Sequence, residues 1–305
     1  MIPETQSQEK KDTLRFCGAQ LIEVPAVPFS NPANYVHIAA RLARALQTHP
    51  ARPCPVHYAN QWDSVANRAA HVEGTGPEIW AQLKGRVDAF SCAMGTGGTL
   101  AGTAAALRAR NPDVVIGLTD PLGAVPATFY TTGKAVAGQG SSVAEGIGQG
   151  RITGNMGTPF PEDNAAAAAP GVFRPDRVFE VDDAAAIAEL NALTLHEGLQ
   201  VGLSSGINVA GAVKLARELG PGKTLVTVLC DGAMRYAGKM YNPSFLRAKG
   251  LPVPQWLDTE AKPDCNSSGT GAAATAQALL PFDLGELVKQ AIAGTELSPK
   301  PPGVA

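Results

Sequence analysis

Residues 87–110 read VDAFSCAMGTGGTLAGTAAALRAR, and this stretch decides the predicted fold. Residues 87–94 form an apolar run with the length of a buried strand, while residues 100–110 are Ala-rich and free of proline, which favours a helix. Between them lies Gly95-Thr96-Gly97-Gly98-Thr99, called the glycine loop below. A strand, a glycine-rich turn and a helix N-terminus together predict an anion site, because backbone N–H groups and the helix dipole face the anion.

The residue types of the glycine loop favour a phosphate monoester over a nucleotide. A dinucleotide fingerprint needs glycine at its sixth position, where this chain has Leu100. A P-loop ends in Gly-Lys-Ser/Thr, and the glycine loop contains no lysine. The other interpretation is that these glycines serve only the tight packing of a helix against a strand.

The rest of the chain alternates between predicted strands and helices, which indicates an α/β protein with a parallel sheet. Ligands of such sheets bind at the carboxyl ends of the strands, so the glycine loop and residues 202–206 and 230–232 are predicted to share one edge. Helices are predicted over residues 7–17, 34–47, 77–83, 182–197, 207–219 and 242–249, and further strands over residues 21–24, 56–58, 114–118 and 225–229.

The composition argues against several classes of function. The 305-residue chain has a formal net charge of −2 and no basic run, so nucleic acid is not an expected partner. No apolar run reaches the length of a membrane span, and the polar first residues resemble neither a signal nor a transit peptide, so we expect a cytoplasmic protein. The cysteines and histidines lack metal-ligand spacing, so no metal site is expected.

Further motifs follow one another along the chain: IPETQSQEKK at residues 2–11, NQWD at 60–63, AN at 66–67, TGPEIW at 75–80, GTGGT at 95–99, EGIG at 145–148, GLSSG at 202–206 and RY at 235–236. In this order they resemble cysteine synthase, the O-acetylserine sulfhydrylase group of the fold type II pyridoxal-phosphate enzymes. The resemblance covers about residues 1–257. It implies a tryptophan synthase β-like α/β fold, with parallel sheets and helices on both faces.

The resemblance also implies a domain organisation. Residues 1–64 would be a remnant of the family's smaller domain, and residues 65–258 the larger domain that binds the cofactor phosphate. Residues 259–305, rich in Ala, Ser, Gly and Pro, lie outside the resemblance and are predicted to be a disordered, low-complexity tail.

Individual residues receive roles from the same resemblance. The glycine loop would bind the phosphate of pyridoxal 5′-phosphate, and Ser204 would hydrogen-bond its pyridine nitrogen, although a serine there could equally be a helix cap. Gln61 would contact the carboxylate of an amino-acid substrate, with Gly146 and Ile147 on the substrate side. The implied reaction is β-replacement, which makes L-cysteine from O-acetylserine and sulfide, in a homodimer once the chain is complete.

The chain departs from the family pattern in two places. The family's Schiff-base lysine lies in a Ser-Val-Lys-Asp-Arg motif, and no lysine of this sequence lies in one. We therefore predict no catalytic residue here and expect an incomplete, inactive form. Gly232 stands where the family commonly has a serine near the pyridine ring. The alternatives are a non-catalytic module that binds the cofactor phosphate or a partner, and another fold type II lyase such as cystathionine β-synthase.

Overall fold

The computed structural model describes residues 1–6, 8–50, 54–157 and 173–258. The chain divides into two compact units, residues 1–241 and residues 242–305. The predicted tail after residue 258 lies outside the described residues, and the predicted boundary between residues 64 and 65 remains a prediction. Among the described residues, no helix combines the length and the apolar character that crossing a membrane requires.

Within the described residues, the secondary structure runs from a short strand at residues 2–3 to a short helix at residues 243–248. The strands are β1 Ile2–Pro3, β2 Glu23–Val24, β3 Ala89–Cys92, β4 Val115–Pro121, β5 Arg177–Val181 and β6 Leu225–Val226. The helices are α1 Gln8–Phe16, α2 Tyr35–Thr48, α3 Ala66–Ala70, α4 Gly76–Gln82, α5 Gly98–Arg108, α6 Val125–Thr132, α7 Asp183–Glu197, α8 Leu203–Leu219 and α9 Pro243–Ala248. A π-helical turn, His71–Thr75, joins α3 to α4.

The main sheet has four parallel strands in the order β5-β4-β3-β6, and β1 pairs with β2 in a separate parallel sheet. Strand β3 lies beside β4, with Ala89 opposite Val115 and Cys92 opposite Leu118. Helix α5 is the crossover between these strands. Because parallel strands end at the same edge, the glycine loop after β3 and the segment after β4 lie at one carboxyl edge.

The two faces of β3 and β4 bury different kinds of residue. Phe90, Ile116 and Leu118 point to the face covered by α5, where they share a core cluster with Leu100 and Leu107 of that helix. All of these side chains are fully buried. Successive residues of a strand alternate between faces, so apolar residues on one face anchor the α5 crossover directly behind the glycine loop.

The opposite face of the same strands is covered by α8, and small residues bring the helix close. A Cβ on Gly211 of α8 would lie 2.1 Å from Thr119 Oγ1, and a Cβ on Gly117 would lie 3.3 Å from Leu215. Thr119 Oγ1 in turn lies 2.9 Å from the buried Ser91 hydroxyl. Helices therefore cover both faces of the sheet, and α8 depends on glycine for its contact distance.

Most predicted elements are present, but the prediction and the structure differ in several places. Residues 54–58 form no strand, so the strand predicted over residues 56–58 is wrong. Strands β1 and β5 and helices α3 and α6 were not predicted from the sequence. Helix α6 has Pro126 in its first turn and several threonines, a composition with low helix propensity. Strand β5 is short and only partly buried, and it is defined by its pairing with β4.

Because α8 lies so close to the sheet, one methyl group added at the contact should reduce the stability of the fold. Gly211→Ala should lower the free energy of unfolding by about 1–3 kcal/mol, because the new methyl would overlap Thr119. Gly238→Ala is the control, since no atom lies within 4 Å of its added Cβ, and it should change stability by less than about 0.5 kcal/mol. Urea denaturation of both variants measures the difference, and equal midpoints would contradict this account of the packing.

Candidate functional site

The glycine loop presents backbone N–H groups that lack acceptors. Gly97 is the N-cap of α5, with φ of 85°, a left-handed conformation that favours glycine. No described residue accepts a hydrogen bond from the backbone N–H groups of residues 95–100, and the first such bond of the helix comes from Ala101. Gly97, Gly98 and Leu100 are buried. Buried N–H groups are costly without a partner, so this loop is suited to an anionic acceptor.

Side chains from distant parts of the chain hold the glycine loop in place. Asn67 Nδ2 donates to Thr96 Oγ1 at 2.6 Å, and Thr153 Oγ1 donates to the Thr96 carbonyl at 2.5 Å. Thr99 Oγ1 lies 3.1 Å from His71 Nε2. Burial lowers the pKa of His71, so its ring is neutral at neutral pH. The backbone N–H groups therefore remain the main donors of the loop.

Tight packing and anion binding are both compatible with this loop. A Cβ on Gly97 would lie 2.4 Å from Met156 Sδ, and a Cβ on Gly95 would lie 2.7 Å from the carbonyl oxygen of Gly146. Gly146 is thus brought directly against the glycine loop. Glycine at these positions is required by the surrounding protein even before any ligand is considered.

The segment that carries Gly146 is fixed by charged groups. The Ser142 hydroxyl donates to the Asp183 carboxylate at 2.5 Å, at the start of α7. Glu145 forms ion pairs with both Lys10 of α1 and Lys239. Burial raises the pKa of Glu145, but the two lysines lower it by more, so the carboxylate stays charged. These contacts hold the segment beside the glycine loop.

Ser204 lies in the first turn of α8, where it is buried near the Cys230 thiol. Asn208, one turn later, accepts from the Ala93 N–H at 2.7 Å and donates to the Val228 carbonyl at 2.7 Å. It thereby joins the residue that follows β3 to the segment that follows β6. Ser204, the glycine loop and Cys230 consequently lie at the same edge of the sheet.

The segment after Cys230 has open space at Gly232. No atom lies within 4 Å of a Cβ built on Gly232, whose backbone is extended. Its neighbour Asp231 accepts from the Tyr236 hydroxyl at 2.8 Å through Oδ2, while Oδ1 is buried with no partner among the described residues. A serine side chain would fit at position 232, so the glycine there reflects no steric requirement.

The other predicted substrate residues are less directly placed. Gln61 is exposed, and its carbonyl accepts a hydrogen bond from Asn155 Nδ2 at 3.3 Å. Ile147 is half-buried after Gly146. Within the described ranges, the Gln61 side chain forms no hydrogen bond with the glycine loop, and Ile147 has no polar side-chain atom to form one.

A bidentate ion pair next to Gln61 joins two segments of the site. Arg151 donates to both oxygens of Asp63, at 3.0 and 2.7 Å, and the Gly154 N–H donates to the same carboxylate at 2.8 Å. The guanidinium also lies 4.4 Å from the centre of the Phe29 ring. Burial raises the pKa of Asp63, but Arg151 and the Gly154 N–H lower it by more. Sequence reasoning did not identify this pair, because nothing local marks two residues so far apart in the chain.

Comparisons with known proteins agree on one family. A family profile described as "Pyridoxal-phosphate dependent enzyme" matches residues 1–231. Cysteine synthase 1 of Emericella nidulans is 44% identical over 261 residues, which cover 84% of this chain and 65% of that protein. Cysteine synthase 1 of Neurospora crassa is 44% identical over 260 residues, covering 84% and 64%. The chain therefore spans less than two thirds of the length of these relatives.

Solved structures show the same similarity. The O-acetylserine-dependent cystathionine β-synthase of Helicobacter pylori superposes with a TM-score of 0.62 at 26% identity, covering 78% of this chain and 68% of that one. Its sheets and helices match the architecture described above.

The Asp63–Arg151 pair predicts a pH-dependent contribution to stability. Because the folded pKa of Asp63 is lowered, its contribution is complete above the ordinary value of 3.8 and is lost as the pH falls through the folded pKa. Asp63→Asn should therefore lower the melting temperature near neutral pH, and the difference from wild type should shrink in acid. The exposed Asp113→Asn serves as the control and should change little. A melting difference for Asp63→Asn that stays constant into acid would contradict the assignment.

Proposed function

The chain belongs to the family of pyridoxal-phosphate-dependent enzymes, and from this premise we propose that its function is cysteine synthase-type β-replacement. The product would be L-cysteine, made from O-acetylserine and sulfide. The family match and the solved structures confirm the expected fold type II architecture. The observation that carries the proposal is the row of unpartnered N–H groups at residues 95–100, at the same sheet edge as Ser204.

The residues of this chain fit the cofactor that the family uses. The N–H groups of residues 95–100, with the Thr96 and Thr99 hydroxyls beside them, would hold the phosphate. Ser204 would hydrogen-bond the pyridine nitrogen. When bound, pyridoxal phosphate supplies an electron sink that allows a substituent to leave the β-carbon of an amino acid.

The nature of Ser204 limits how strongly the protein assists that chemistry. A hydroxyl cannot hold a full proton on the ring nitrogen as a carboxylic acid would, so it favours a moderate electron sink. A moderate electron sink is sufficient for the loss of a good leaving group from the β-carbon. With Gly232 in place of the family's serine, this end of the ring would receive fewer polar contacts from the chain.

The substrate would lie beside the glycine loop and the adjoining segment around Gly146. The Gln61 amide would orient the substrate carboxylate, while Gly146 and Ile147 would cover the reacting carbon and exclude water. No lysine of this sequence matches the family's Schiff-base motif, so we assign removal of the substrate's α-proton to no residue of this chain. We propose an amino acid and sulfide as the small-molecule partners, together with a homodimer and a cytoplasmic location.

A second candidate within the same family is a cystathionine β-synthase-type reaction. The observation that favours it is the likeness to the O-acetylserine-dependent cystathionine β-synthase of Helicobacter pylori. Because the chain lacks the Schiff-base motif, the assay uses the chain joined to a family segment that carries this lysine. Supplying either sulfide or homocysteine with O-acetylserine then distinguishes the two candidates by the product formed. A module that binds cofactor without catalysis would bind pyridoxal phosphate and form neither product.

The anion site predicts that a carboxylate added to the glycine loop will prevent phosphate binding. Thr96→Glu should weaken pyridoxal 5′-phosphate binding at least about tenfold, because the new side chain competes for the same N–H groups and repels the phosphate. A substitution at Gly97 would not serve for this test, because the new side chain would overlap Met156 and so report on packing instead of anion binding.

Thr132→Glu, at an exposed position at the end of α6, is the matched control and should bind pyridoxal 5′-phosphate normally. Isothermal titration calorimetry measures both, with pyridoxal as the ligand that lacks phosphate. Equal affinity for pyridoxal and its phosphate would refute the phosphate site.

The missing lysine motif predicts how the expressed 305-residue chain reacts with borohydride. With pyridoxal phosphate present, reduction should label no single lysine stoichiometrically, and β-replacement activity should be absent. Peptide mapping by mass spectrometry locates any label. One stoichiometrically labelled lysine would show that this sequence does contain the attachment site.

A further inference from the structure

One buried acid lies directly behind the glycine loop and has no role in the function proposed above. Asp120, near the end of β4, has 0% exposure. Its Oδ1 accepts the Met94 N–H at 3.3 Å, and Met94 is the residue immediately before the glycine loop. The carboxyl group therefore supports the backbone at the point where the strand becomes the anion site.

The second oxygen of Asp120 is buried with no hydrogen-bond partner among the described residues. A buried, half-satisfied carboxylate is costly when charged. Burial raises the pKa of Asp120 to about 7, against the opposing effect of the Met94 and Ala127 N–H groups. Ala127 lies in the first turn of α6.

The titratable groups around Asp120 come from three neighbouring elements, and none of them is a cation. Glu180 of β5 pairs with Asp120 in the sheet register and further raises its pKa. Cys92 of β3 and Tyr130 of α6 also lie near it, and burial raises the pKa of both, so they are uncharged near neutral pH. The Arg174 guanidinium lowers the pKa of Tyr130 but is not among the groups that act on Asp120, and none of those groups is a cation.

We propose that Asp120 is a positioning residue of the phosphate site, and that an anion in the glycine loop favours its protonated form. This inference rests on the proposed function, since it requires that the loop binds an anion. A neutral carboxyl group can hold the Met94 N–H without repelling the anion, whereas a charged one adds a negative charge beside it. Anion binding near the pKa of Asp120 is then coupled to the uptake of a fraction of a proton.

The sign of the coupling follows from this arrangement. Asp120 is protonated below its pKa, where the anion binds without repulsion. As the pH rises through that pKa the carboxylate becomes charged, and the affinity for the anion falls. By linkage, a bound anion raises the pKa of Asp120 in the same measure.

Sulfate is the probe for the test, because its own charge does not change near neutral pH. In the wild-type chain, the sulfate dissociation constant should rise about fivefold or more between about pH 6 and about pH 8, a typical size for coupling between sites. Asp120→Asn keeps the size of the side chain and cannot ionise, so the sulfate dissociation constant of this variant should be nearly independent of pH.

Asp88→Asn is a control, because it removes an acid that is paired with Lys223 away from the loop, and it should retain the wild-type pH dependence. A pH dependence that persists in His71→Asn, whatever the affinity of that variant, excludes the ring that contacts Thr99 as its source, and loss of the dependence in this variant overturns the inference.

A measurement on the wild type alone covers the case in which Asp120→Asn fails to fold. Calorimetry in buffers with different ionisation enthalpies counts the protons taken up, and uptake of a substantial fraction of a proton near neutral pH supports the inference. No proton uptake, or an unchanged pH dependence in a folded Asp120→Asn variant, overturns it while leaving the phosphate site intact. Absence of both sulfate and pyridoxal phosphate binding at every pH overturns the phosphate site itself and the inference with it.

Discussion

Backbone N–H groups at the start of α5 have no acceptor in the part of the chain that the structure describes, and the surrounding residues hold them in that arrangement. The glycines of the loop leave no room for side chains, because Met156 and the Gly146 carbonyl occupy that space. Asn67 and Thr153 fix Thr96 from two directions. A loop held this firmly loses little entropy on binding, so its donors are organised before a ligand arrives.

The same edge of the sheet gathers the other parts of the site through α8. Gly211 lets this helix approach β4 closely, and Asn208 then bonds to the segments after β3 and β6. Ser204 is placed by this docking, since it lies one turn before Asn208. A small residue in the middle of the helix thus governs the position of a polar side chain at its end.

Charge is arranged differently on the two sides of the glycine loop. On the solvent side, Glu145 is held between Lys10 and Lys239 and keeps its charge. On the buried side, Asp120 has no cation among the described residues, and only one of its two oxygens forms a hydrogen bond with them. The first arrangement fixes a segment next to the site, and the second leaves a carboxyl group whose proton matters to whatever the loop binds.

The sequence alone determined the parallel α/β fold and the place of the glycine loop, because strand length, helix propensity and glycine spacing are local properties that residues 87–110 carry by themselves. Resemblance to the family added the proposed roles of Ser204, Gln61, Gly146 and Ile147. Local pattern missed β1, α3, α6 and β5, and it wrongly made residues 56–58 a strand, because a short apolar alternation needs a neighbouring strand before it pairs.

Only the tertiary structure decided that Asn67, 29 positions away, meets Thr96, and that Asn208, 115 positions away, meets Ala93. It also decided that Asp120 is buried with no counter-ion among the described residues. Such contacts depend on how α5 and α8 pack on the sheet, which no local pattern of residues encodes.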